Sequence, residues 1–199
     1  MASTAETTSP NLVDRARAIL TRPKDEWRVI DPEKTDIATL YRAYVVPLAA
    51  IGPVANFIGS ALIGTGQLRV PVASALAGAI VSFALTLLGT YVVAQVIDNL
   101  APRYSGTRDL TAAFKVSAYS STAQWLAGIF ALIPGLAFLS ILGLYGLYLL
   151  YLGLPVLMKV PQEKATAYTV TVVVVTIIIF IVIAIVSGIL LGTAAFVTS

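Results

Sequence analysis

The residues with most scope for chemistry sit in one stretch of the chain: Ser117, Ser121, Gln124 and Gly128. Their spacing of i, i+4, i+7 and i+11 places them on one helical face. Within an apolar segment such a stripe can form a polar groove for a solute, a lipid headgroup or a partner helix, with Asn56 of an earlier segment facing it. It can also simply join helices, at about 0.6 kcal/mol and at most about 1.7 kcal/mol per hydrogen bond. Packing is the favoured expectation. A second group is aromatic. Tyr145, Tyr148 and Tyr151 recur every three residues and lead into Pro155. Tyr151 fits an interfacial aromatic belt, while the deeper Tyr145 needs a hydroxyl partner inside a bundle.

Other chemistries are ruled out by what is missing. The chain has no His and no Cys, which removes the Ser-His-Asp arrangement, histidine-ligated zinc, thiol nucleophiles and iron–sulfur clusters. No acidic or basic residue falls inside the long apolar stretches, and Asp98 stands at the end of one. A buried carboxylate relay or an aspartyl pair for proteolysis is therefore not expected. Gly64-Thr65-Gly66 lacks the longer glycine pattern and the Lys-Ser/Thr of a phosphate loop. The expectation is a non-enzymatic protein with no cofactor, no metal and no nucleic-acid partner.

The elements that must position these residues follow from composition. Of 199 residues, 58% are apolar and 12% charged, against about 45–50% and about 25% in soluble domains. The bilayer is the expected surroundings. Five apolar stretches approach the roughly 20 residues needed to cross it: 43–63, 71–97, 116–133, 136–158 and 168–192. The third is the shortest and most polar. The Val/Ile-rich run 170–186 reads as helix, because an isolated strand in lipid leaves backbone groups unsatisfied. The expected fold is an all-α bundle of five membrane helices. If the N-terminus is cytoplasmic, twelve Lys/Arg lie inside and only Arg69 lies outside. This predicts an inside N-terminus and an opposite-side C-terminus.

Residues 1–42 form a tail with seven Lys/Arg and seven Asp/Glu. Ser9-Pro10 reads as the start of a short amphipathic helix, with Leu12, Val13, Ala16, Ile19 and Leu20 on one face and Asp14, Arg15 and Arg17 opposite. That helix can lie on the membrane surface or pack on the protein's own loops. Pro23 should end it, and Trp27 suits headgroup depth. Small-residue seams recur at Gly52/Asn56/Ser60/Gly64, Ser74/Gly78/Ser82 and Ala184/Gly188/Gly192, and Pro47, Pro53 and Pro155 should bend their helices.

Three stretches resemble the Yip family of polytopic membrane proteins. They are Leu20-Thr-Arg-Pro-Lys-Asp-Glu-Trp27 with Leu40-Tyr-Arg-Ala-Tyr-Val-Val-Pro-Leu48; Leu100-Ala-Pro-Arg-Tyr-Ser-Gly106 with Lys115-Val-Ser-Ala-Tyr-Ser120; and Tyr145-Gly-Leu-Tyr-Leu-Leu-Tyr-Leu-Gly-Leu-Pro155 with Met158-Lys-Val-Pro-Gln-Glu-Lys-Ala165. The resemblance implies five helices with the N-terminus in the cytoplasm. In eukaryotic members it implies trafficking roles and small GTPase partners. The short tail resembles the bacterial branch instead, which implies an inner-membrane location, and the family brings no catalytic residues. The expected function is to organise membrane or partner proteins, through a docking surface at Arg103, Tyr104, Tyr148, Tyr151 and Pro155, as a homo-oligomer or with another membrane protein. The other expectation is a solute, ion or lipid permease, with its path along Asn56, Ser117, Ser121 and Gln124.

Overall fold

The Val/Ile-rich run is helical, like most of the described residues. The computed structural model describes residues 11–64 and 70–197, with side chains described through residue 182 except at residue 134. No strand occurs among the described residues. Backbone groups in lipid find partners only within a helix or a closed barrel, so β propensity yields.

The tail forms α1 (Leu12–Thr21) and α2 (Pro23–Ile30). Ser9-Pro10 lies outside the described residues. The cap of α1 is Asn11, whose Oδ1 accepts from the Asp14 N–H at 2.9 Å. Pro23 ends α1 by opening α2 at its first turn, where a missing N–H costs nothing. The inward face of α1 differs from the expected one: Arg15 and Ile19 are buried, while Val13 is 68% exposed. Trp27 is likewise not a headgroup anchor. It is fully buried against Gly153, where a Cβ would come within 2.7 Å of the indole, and edge-on to Tyr119 at 6.2 Å. The tail therefore packs on its own protein.

The first membrane helix, α3 (Ile37–Ile63), starts earlier than its apolar run. It carries π-helical turns at Tyr41–Val45 and Ile58–Ile63. The first turn ends two residues before Pro47. That ring cannot donate to a carbonyl four residues back and would collide with it, and a widened turn removes the conflict. Helix α4 (Val72–Leu100) continues as a 3-10 turn, Ala101–Tyr104, that stops at Ser105 in the left-handed region (φ 62°).

Next come α5 (Leu110–Ser120) and α6 (Thr122–Ala127), with a 3-10 segment, Gly128–Leu132, after them. Asp109 caps α5 through the Thr111 and Ala112 amides at 2.9 and 3.0 Å. Every residue of α5 from Ala113 to Ser120 is buried. A helix enclosed on all sides can carry hydroxyls and even Lys115, which explains why this stretch reads as short and polar. The remainder is a 3-10 segment, Pro134–Leu144, then α7 (Tyr145–Leu157) and α8 (Gln162–Val197).

Four helical stretches are long and apolar enough to cross a membrane: Ile37–Ile63, Val72–Tyr104, Gly135–Leu157 and Gln162–Val182. They coincide with the first, second, fourth and fifth expected spans. The third expected span falls on the broken run α5–α6, interrupted at Ser121. This run is nonetheless central. Ser117 Oγ donates to Thr90 O of α4 at 2.7 Å, and a Cβ on Gly128 would sit 2.8 Å from Gly52 Cα of α3. The Gly52 seam thus packs helix against helix, whereas a Cβ at Gly78 would meet nothing within 4 Å. The Ala184/Gly188/Gly192 seam lies beyond the described side chains.

Candidate functional site

One end of the bundle is tied together by the tail and both loops that follow α4 and α7. Lys159 Nζ pairs with Asp31 at 2.5 Å, the Thr107 N–H donates to Met158 O at 2.9 Å, and Lys164 Nζ donates to Ser105 Oγ at 2.7 Å. Lys115 Nζ reaches up from α5 to the carbonyls of Ile30, at 3.2 Å, and Glu33. Beneath them Arg15 pairs with both Glu26 and Glu33 and lies 5.6 Å from the centre of the Tyr119 ring. Burial alone would lower the Arg15 pKa, but the Glu33 hydrogen bond and the surrounding negative charge hold it above its ordinary value. For Lys115, burial wins over Glu33, Asp109 and Asp31, and its pKa is lowered. Neighbouring Asp98, 4% exposed, accepts from Arg108 Nε and Nη2 at 3.0 and 2.7 Å.

The expected docking residues have different partners. Arg103 is exposed in the 3-10 turn. Tyr104 is engaged with α8: its hydroxyl is 2.6 Å from Thr171 Oγ1 and its ring stacks on Tyr168 at 5.2 Å. Tyr148 and Tyr151 stand 42% and 38% exposed on α7, and Pro155 is half-buried within the same helix. Tyr148 stacks on Tyr145 at 5.5 Å, and Tyr145 Oη donates to Leu20 O of α1 at 3.1 Å. The hydroxyl partner of Tyr145 is thus the tail rather than another membrane helix.

The polar stripe borders cavities on both of its sides. A cavity of about 670 Å³ between α3, α4 and α6 brings together Asn56, Ser121 and Gln124. A second, of about 430 Å³, lies between α5, α6, α7 and α8 and takes in Ser117, Ser121 and Gln124. Gln124 is exposed and lines both. Ser121 Oγ donates to Ser117 O at 2.8 Å. The residue pattern alone does not single out Ser120, Ser140 and Thr176, which also line the second cavity. The available signals are a hydroxyl inside a Val/Ile run for Thr176 and a position three beyond Ser117 for Ser120. The tail's Arg15 escapes because amphipathic patterning assigns a cation outward. No cluster of three or more metal-ligating side chains occurs among the described residues.

The Yip1 domain matches residues 17–195. The chain is also 27% identical over 161 residues to "Inner membrane protein YohC" of Escherichia coli (strain K12), covering 76% of this chain and 82% of the relative. The YohC of Escherichia coli O6:H1 (strain CFT073) gives the same identity and coverage. No solved structure matches. With a domain match across nearly the whole chain and four helices of membrane length, the protein belongs to the Yip family and is an integral membrane protein of the inner membrane.

Proposed function

We propose that this protein crosses the membrane five times with a cytoplasmic N-terminus, and organises membrane or partner proteins without catalysing a reaction. Support for five crossings comes from the two ends of the bundle. The tail, residues 101–109 and residues 158–164 are tied together at one end. Far from them, a Cβ on Gly59 of α3 would sit 2.8 Å from Leu132 O. The α5–α6 run connects these two ends, which supports a fifth crossing, and the charge count of twelve against one supports a cytoplasmic location for the tied end.

The observation that carries the organising role is this cytoplasmic face. Arg103, Tyr148 and Tyr151 are exposed and on this reading belong to that face, and aromatic and arginine side chains are the usual anchors of interfaces. The variant Arg103→Ala/Tyr148→Ala/Tyr151→Ala should insert normally and lose any stoichiometric protein partner, or its own oligomer, on native mass measurement. Retention of the partner overturns the role. A permease is the second reading, favoured by Gln124 lining both cavities. On that reading Gln124→Leu abolishes solute flux into vesicles at unchanged expression, and persistent flux means that the stripe is packing.

A further inference from the structure

Most buried hydroxyls among the described residues have a hydrogen-bond partner. Inside helices several donate to the carbonyl one turn back, Thr86 to Ser82 O at 2.9 Å, Thr90 to Thr86 O at 2.9 Å, and Thr169 to Ala165 O at 2.8 Å, while Ser117 donates across to Thr90 O. Such back-bonding is the cheapest way to bury a hydroxyl in an apolar setting. Ser120 and Thr176 depart from it. Both side-chain oxygens are buried and have no hydrogen-bond partner among the described residues, and both residues line the cavity of about 430 Å³ between α5, α6, α7 and α8. Ser120 is itself 5% exposed. A buried hydroxyl without a partner is costly, so two of them on the wall of one cavity offer donors to a ligand that accepts hydrogen bonds.

The walls define that ligand further. Among the described residues no charged side chain lines the cavity, so an ionic group would enter without compensation. Gln124 and Ser140 add further hydrogen-bonding capacity. At the rim stand Leu144, Leu147, Ile177 and Phe180, which are 60%, 47%, 52% and 41% exposed. Apolar side chains exposed beside a cavity in a membrane protein face acyl chains, so the occupant comes from the bilayer.

The depth selects the part of a lipid that fits. A Cβ on Gly146 would lie 2.7 Å from Ser120 O, and the adjacent Tyr145 reaches Leu20 O of α1. The outer face of α1 exposes Asp14, Arg17 and Arg22, charges that belong among water and headgroups. Ser120 therefore lies level with the polar boundary of the bilayer. At that level a lipid presents ester carbonyls, with its headgroup above and its chains below.

We infer that this cavity binds the glycerol-ester region of a bilayer lipid, with the hydroxyls of Ser120 and Thr176 donating to ester carbonyls and the acyl chains leaving past Leu147 and Phe180. This goes beyond the organising role and is independent of it.

The test uses the full-length protein in detergent, with dioctanoylglycerol as the probe and its dioctyl ether analogue, which lacks the carbonyls, as the comparison. The ester should raise the melting temperature saturably and the ether much less. In Ser120→Ala/Thr176→Val the apparent affinity for the ester should fall by about tenfold or more, as expected for two lost hydrogen bonds. The melting temperature of this variant without lipid should stay level or rise, since it removes two unsatisfied hydroxyls. That measurement separates loss of the site from loss of the fold. Equal stabilisation by ester and ether, full ester binding by the double variant, or no binding to the parent protein would each overturn the inference.

Discussion

The most consequential single residue is Arg15, a cation on an amphipathic tail helix that turns inward instead of outward. At 4% exposure it is held by Glu26 and Glu33 and lies over Tyr119. Removing one member of a buried ion pair leaves charge uncompensated, at a cost of about 3 kcal/mol or more. Arg15→Ala should therefore destabilise the folded protein by about that amount and expose the tail to protease, read by thermal melting and limited proteolysis. Adding Glu26→Gln and Glu33→Gln should recover part of the loss. A simple surface role for Arg15 would leave both readouts unchanged. None of this is legible in the tail's sequence, where apolar residues at helical spacing mark the face but cannot tell a paired cation from a solvated one. Trp27 shows the same limit. An aromatic beside a membrane segment suggests an interfacial anchor, yet Gly153, more than a hundred residues away in the sequence, opens the notch that buries it.

Among the elements, the amino-acid pattern is most informative where lipid alone decides the outcome. Four apolar runs form membrane-length helices, including the Val/Ile-rich one, because the bilayer leaves the backbone no other choice. The pattern is weaker for the third expected span, because α5 is solvated by protein rather than lipid: α4, α7 and the tail surround it. Its polarity signals that enclosure, and the spacing of Ser117, Ser121 and Gln124 is enough to mark the stripe. The cavities beside it are not legible in this way, since they depend on how α8 and α3 pack. The chain has no Cys, so single-cysteine labelling can trace whether this run crosses. Gly135 follows the run, is exposed and has open space for a side chain. Gly135→Cys should react with a membrane-impermeant maleimide added outside spheroplasts, while Ser105→Cys should react only after lysis. Labelling of both positions from the same side would mean that α5–α6 does not cross.

At the scale of the whole molecule, membership of the Yip family rests on a domain match from residue 17 to residue 195, and the inner-membrane location on the YohC relative together with the membrane-length helices. What the molecule adds is an end of the bundle in which the tail and two loops are tied by an ion pair and hydrogen bonds. Fixing three separate segments in one geometry has an entropic cost that chain connectivity alone does not demand. On the organising role proposed above, this arrangement is a preformed surface for another protein. The most direct test is the intact mass of the protein extracted into lipid nanodiscs under mild conditions, measured beside the Arg103→Ala/Tyr148→Ala/Tyr151→Ala variant. The organising role predicts a discrete oligomer or a stoichiometric protein partner on the parent chain, lost in the variant. A parent chain that flies as a monomer with no bound protein would contradict it.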